Sequence, residues 1–377
     1  MIRTPVAHPR LGTLVGNAVF AALVAMAAPA FAQAQVDEQL AAVEVTGTKN
    51  PELQRYRSMA GGLDAFDQHR SLAPNATLKA RLSRRSDVWG DKGNVDGLTL
   101  RLVGNDTSIP IPIAADGTFT LPRSQAAYDE DADLVVNQKK STVRWFPDVR
   151  TPGVPANARR LGDLRMECEV LMGVAKKEIN FAQRAGAMLL LGTNWCASPR
   201  VQVATPLGDY AMSAAVVHGG QRKAIATAGY RLEAPIRDKS LPDDALVEFE
   251  PWSQASQERK RQFLAQWPIQ LRSSADKWAT GVEMRGSEGA QYRAVMALKR
   301  GKWKFRLGSA AGEIQLGATA ADGAASIGKT LALRLQGPEL ALDVEQAGSY
   351  EFVLDLCDPD RPAVTIVPVD PGSSNKA

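Results

Sequence analysis

Between residues 271 and 367, apolar side chains recur at every second position in eight short runs, and turn residues separate the runs. Leu331, Leu333 and Leu335 alternate in one run, Tyr350, Phe352 and Leu354 in a later one, and Val364 and Ile366 in the last. A strand sends successive side chains to opposite faces, so this period hides one face of each run and leaves the other wet. That many half-buried strands in about a hundred residues specify an antiparallel β-sandwich. They exclude a parallel sheet, whose strands need long crossover connections.

The same alternation organises much of the remaining chain. Residues 96–250 form a β-rich region of one or two modules. Leu98, Leu100 and Leu102 alternate, as do Ile109, Ile111 and Ile113, and Asp116-Gly117 makes the turn into the next strand. Runs 187–191 and 201–205 read as buried strands, and Gly219-Gly220 joins 210–218 to 221–227 as a hairpin. Residues 33–95 hold a short strand at 42–46 and then an amphipathic helix starting at Asn50, with Pro51 in its first turn. Its stripe is Leu53, Tyr56, Met59, Leu63 and Phe66, weakened by Gly61-Gly62. Residues 251–270 read as a helical connector with a solvated charged patch, Glu258 to Arg261, and an apolar end, Phe263, Leu264 and Trp267. Residues 368–377 read as a frayed tail. The fold class is mainly β: tandem antiparallel β-sandwich-like domains, an N-terminal amphipathic helix and a connecting helix.

Residues 1–32 have the three parts of a secretory signal: a cationic start, an apolar run from Leu11 to Ala28, and Ala30-Phe31-Ala32 as the cleavage motif. A periplasmic or secreted protein is expected. The leader's only charges are Arg3 and Arg10, so residues 33–377 carry 43 basic side chains against 41 acidic, a balance that demands no nucleic acid partner. In an oxidising compartment Cys168 and Cys196, 28 apart, are expected to pair. Cys357, after Leu354 and Leu356, is expected to be a buried thiol. No metal site is expected, because His69 and His218 lie far apart with no Cys-x-x-Cys.

The C-terminal run contains Arg285-Gly286-Ser287, Tyr292-Arg293-Ala294, Gly301-Lys302-Trp303-Lys304-Phe305, Leu316-Gly317, then 348–355 (GSYEFVLD) and 362–367 (PAVTIV). In that order these motifs resemble the starch-binding-like β-sandwich modules of bacterial pullulanases, amylases and outer-membrane starch-binding lipoproteins. The resemblance implies a sandwich that binds a glycan. It also implies stacking aromatics, which this chain lacks at two places: Glu288-Gly289-Ala290 and Ala310-Ala311-Gly312 stand where the family carries tryptophan. Trp303 and Trp278 are the nearest replacements and are the candidate ligand-binding residues.

Other motifs carry less. The run 323–330 (GAASIGKT) fits the phosphate-loop pattern, but alternating leucines come next where a helix is required, so no nucleotide is expected. Ser274-x-x-Lys277 lacks its companion motifs, and the acidic Asp129, Glu130, Asp131 and Asp133 lack the glycine turn of a calcium loop. No catalytic constellation and no cofactor are expected. Two partner classes stay open: a polysaccharide, either an α-glucan or an envelope glycan, and an envelope protein docked on the edges of the sandwich.

Overall fold

The computed structural model describes residues 48–84, 95–201, 203–207, 209–225, 227–287 and 290–369. The leader, the strand expected at 42–46 and the tail from residue 370 lie outside them.

The chain enters as β1 (Pro51–Arg55) and continues into α1 (Tyr56–Gln68). The helix start expected at Asn50 is therefore corrected: Pro51 opens an edge strand that pairs with residues 133–139, a place where its missing N–H is tolerated. β2 (Thr77–Arg84), β3 (Leu100–Val103), β4 (Ser108–Ile111), β5 (Thr118–Phe119), α2 (Gln125–Asp129), β6 (Asp133–Lys139) and β7 (Val143–Arg150) come next. They form two antiparallel sheets, β1-β6-β3-β4 and β5-β2-β7. Leu82, Leu100, Leu102, Phe119, Leu134 and Val136 fill the space between these sheets and Tyr56. The Tyr56 hydroxyl donates to the Pro122 carbonyl (2.8 Å), so the ring is buried without an orphaned polar atom.

β8 (Ala158–Arg160) leads into α3 (Leu161–Glu178). Gly61 and Gly62, expected to weaken α1, are what let α3 approach it. A Cβ on Gly61 would stand 2.9 Å from the Gly173 carbonyl oxygen, and one on Gly173 2.5 Å from that of Gly61. Two polar side chains are buried in α3. Asp163 accepts from the Thr151 N–H (2.9 Å) and hydroxyl (2.6 Å). Glu167 accepts from the Val149 N–H (3.0 Å), the Thr205 hydroxyl (3.3 Å) and the Arg159 guanidinium.

The strand expected at 187–191 is instead the end of α4 (Phe181–Leu191), and of the strand expected at 201–205 only Thr205 is in one among the described residues. A short apolar run is compatible with either element. Here the Asn180–Gln183 capping box decides for helix. Cys168 and Cys196 form the expected disulfide.

β9 (Thr205–Pro206), β10 (Ala211–His218), β11 (Gln221–Ile225), β12 (Thr227–Ala228), β13 (Arg231–Leu232) and β14 (Leu246–Pro251) complete the middle region. β10 and β11 are the expected glycine-turned hairpin, inside the sheet β11-β10-β14-β8.

α5 (Gln257–Ala265) is the connector. Its charged run is not all solvated, which is a second correction. Lys260 is buried and its ammonium sits 2.8 Å from both oxygens of Asp360, which also accepts from Trp252 Nε1 at 2.8 Å. Tyr210, Trp252, Phe263 and Trp267 meet edge to face beside it, and the Tyr210 hydroxyl donates to the Glu313 carbonyl. Connector and sandwich thus share one core.

The sandwich comprises β15 (Ile269–Ser273), β16 (Gly281–Glu283), β17 (Arg285–Ser287), β18 (Gln291–Leu298), β19 (Gly301–Ser309), β20 (Gln315–Ala318), β21 (Ala324–Ala325), β22 (Thr330–Leu335), β23 (Leu340–Val344), β24 (Gly348–Asp355) and β25 (Ala363–Pro368). One layer runs β17-β18-β24-β25-β22; in the other, β19 carries β15 and β16 on one side and β20 and β23 on the other. The β20–β22 pairing joins the layers into a nearly closed sheet. Phe305, Leu307, Leu342, Val344, Phe352 and Ile366 fill it, the two phenylalanine rings 4.8 Å apart. The phosphate-loop pattern ends in β22 and opens no helix. Cys357 is exposed rather than buried: Leu356 takes the core position, and the next residue turns outward.

Candidate functional site

Alternation along β19 decides what each candidate tryptophan can do. Phe305, Leu307 and Ser309 point into the sandwich, and Trp303 shares their face. Its ring lies parallel to Phe305 with centroids 6.0 Å apart, its Nε1 donates to the Lys299 carbonyl at 2.8 Å, and it packs on the sandwich core. Lys304 and Arg306 point the other way, and the Arg306 guanidinium lies 4.1 Å from the centre of the Trp278 ring. The two candidate residues are therefore on opposite faces of one sheet. Trp303 is a core residue at the strand end; Trp278 is on the outer face.

Trp278 is put there by a strained turn. A 3-10 turn at Ser274–Asp276 ends β15, and Lys277 and Trp278 then both take left-handed backbone conformations, φ 57° and 70°. For a bulky aromatic residue that conformation is an outlier costing about 1–3 kcal/mol, and such strain gathers at ligand clamps. Asp276 holds the turn: it accepts from the Trp278 N–H (3.1 Å) and the Thr280 N–H (2.8 Å), and the Thr280 bonds hold its carboxyl below the ordinary value.

Gln270 and Arg272 of β15 share the outer face with Arg306, because Arg272 is registered opposite Arg306 and Gln270 opposite Gly308. Together with Gln315 and the turn Ala310-Ala311-Gly312 they line a hollow of about 210 Å³. Gly308 lies in its wall. A Cβ there would come within 2.2 Å of the Ile314 carbonyl oxygen, so only glycine lets the turn close on the strand. The small residues at 310–312, where the resembled family carries an aromatic, leave the hollow open.

Its polar groups are fixed. Arg272 donates to Gln270 Oε1 (2.9 Å) and to the Ala310 carbonyl (3.0 Å), and its Nε is a buried donor with no acceptor among the described residues. Arg306 donates to Glu339 Oε1 (3.0 Å) through Nε, and Lys304 lies 3.4 Å from the other Glu339 oxygen. An aromatic ring beside planar, hydrogen-bonding guanidinium and amide groups can stack on a sugar ring and bond its hydroxyls. Neither Arg272 nor Gln270 could be singled out from the sequence. Their alternation with Leu271 marked an outward face, but nothing local placed Trp278 over it.

A larger concavity, about 610 Å³, lies between α1, α3 and β7. Its walls mix apolar Met59, Leu63 and Trp145 with polar Glu52, Lys79 and Arg144. Among the described residues no group of three His, Cys, Asp or Glu side chains could hold a metal ion.

No protein family and no curated protein match this chain. Among solved structures, a chain described as the ligand-induced structure of AmyP-SBD, a starch-binding domain, matches at 21% identity and a TM-score of 0.24. The match covers 27% of this chain and 72% of that one.

Proposed function

We propose that this is an exported, non-catalytic glycan-binding protein, and that the sugar seats on Trp278 across the hollow lined by Gln270, Arg272, Arg306 and Gln315. The observation that carries the reading is the placement of Trp278. It is a strained aromatic residue on the wet face of a sandwich sheet, backed by Arg306 and adjoining fixed donors, one of which lacks an acceptor among the described residues. The secretory leader supports export, and the ordered motifs of the last module support a polysaccharide partner, an α-glucan or an envelope glycan.

Affinity electrophoresis of residues 33–377 through gels containing α-glucans or envelope polysaccharides tests this. At least one glycan is expected to retard the protein, and Trp278→Ala is expected to abolish the retardation. Mobility unchanged by every glycan would remove the reading for that panel.

A second reading, an envelope protein docked on the edges of the sandwich, has little behind it. The outermost sandwich strands, β16 and β17, are three residues each, a length that offers little for strand addition.

A further inference from the structure

α4 is amphipathic in reverse. At 100° per residue, Arg184, Ala187 and Leu191 fall on one side and are the only residues of the helix that are partly covered. The opposite arc holds Phe181, Ala182, Ala185, Gly186, Leu189 and Leu190, with the exposed Gln183 at its border beside Leu190. Phe181 is 86% exposed, Leu189 89% and Leu190 65%.

The helix is held in place at both ends. The Asn180 capping box fixes the start, Gly192 (φ 78°) stops it, and the Cys168–Cys196 disulfide ties the return to α3. The arc is thus held outward by its flanks.

Charge around the helix indicates what meets it. Lys176 and Lys177 precede it and Arg200 comes after it, against the single acid Glu178 over residues 176–200, while Arg184 lies on the covered side away from the arc. Arg184 donates to the Lys176 carbonyl and Arg200 to that of Leu190 (2.9 Å), which are neutral acceptors, so both guanidinium charges remain uncompensated. Lys176 lies 5.3 Å from the Trp195 ring centre. No ion pair engages any of the four cations among the described residues.

We propose that α4 is a membrane-surface anchor: the Phe181, Leu189 and Leu190 arc enters the headgroup boundary of a bilayer, and the neighbouring Lys176, Lys177 and Arg200 meet anionic lipid. A second copy fits less well, since pairing across a two-fold would set these cations against their own like charges. No helix among the described residues is long and apolar enough to cross a membrane, so the contact lies on the surface. The proposal does not depend on glycan binding.

Vesicle co-sedimentation tests it on residues 33–377, which contain the whole compact unit Val45–Ala377 and lack the apolar leader. Vesicles of about three parts phosphatidylcholine to one of phosphatidylglycerol are compared with pure phosphatidylcholine. The expected result is pelleting with the anionic vesicles that weakens with salt, falls about tenfold or more in Leu189→Ser/Leu190→Ser, and loses its anionic preference in Lys176→Gln/Lys177→Gln. Leu189, Leu190 and Lys177 are exposed and Lys176 is half-buried beside Trp195, so an unchanged circular dichroism spectrum and melting temperature confirm folding of each variant. Failure of the parent protein to pellet, or equal pelleting by the serine variant, overturns the proposal. So does a dimer in sedimentation velocity that the serine variant dissociates, which would assign the arc to a second copy.

Discussion

Replacing Glu167 with glutamine keeps the size of a side chain on which four elements converge and removes its charge. Arg159, on β8, is 2% exposed and Glu167, on α3, 4% exposed; their partners Val149 and Thr205 come from β7 and β9. The glutamine oxygen can still accept from Arg159 and Val149, so the loss is chiefly the counter-charge of a buried guanidinium. Breaking a buried pair from one side costs about 3–5 kcal/mol, and retention of the hydrogen bonds puts Glu167→Gln at the lower end, about 3 kcal/mol. With a urea slope of about 2–3 kcal/mol per molar, the midpoint falls by roughly 1 M. Arg159→Met should cost as much, because it strands the carboxylate instead. The double variant Arg159→Met/Glu167→Leu removes both charges and should recover most of the loss. Urea titrations at pH 7 monitored by tryptophan fluorescence measure all three, with Trp145 and Trp195 as reporters. A Glu167→Gln loss below about 1 kcal/mol, or a double variant that loses the sum of the two singles, would refute the reasoning.

Three further outcomes are expected. Burial raises the Asp148 carboxyl, but Arg150 and Arg81 overcome it and hold the value below 3.8, so this group stabilises the fold above that pH and stops doing so as the pH falls through its native value. Asp148→Asn should therefore be less stable than the parent at pH 7, and the gap should narrow as the pH is lowered below 3.8 in urea titrations. Reducing the 28-residue disulfide loop, or replacing both cysteines with serine, should lower stability by about 3–4 kcal/mol, read as a fall in melting temperature. Trp303→Ala should cost about 2–3 kcal/mol by opening a partly covered core position, and the folded variant should keep its glycan retardation.

The sandwich was legible because nearly every strand in it is half-buried, so its period of two survives in the sequence; β18, β19, β22 and β24 fall where Tyr292, Phe305, Leu333 and Phe352 place them. The Cys168–Cys196 pairing was legible from compartment and spacing. The helical layer was not. α3 buries Asp163 and Glu167 beside Leu164 and Met166, so charge interrupts its apolar stripe, and α4 turns its apolar arc outward, against the usual pattern. The site was half legible. The resemblance singled out Trp278 and Trp303 as the nearest replacements for its missing aromatics, but a single residue's parity along β19 separates a core ring from a surface one. The positive φ of Trp278, which brings it over Arg306, leaves no mark in composition.

The most direct test of glycan binding at Trp278 is an NMR titration of the chain with ¹⁵N-labelled tryptophan, whose seven indole N–H signals are resolved separately and assigned by substitution. On addition of a glycan that retards the protein, the Trp278 signal should shift most and that of Trp303 should stay in place. A largest shift at Trp303, or a saturating glycan that moves no signal on the outer face, would contradict the account.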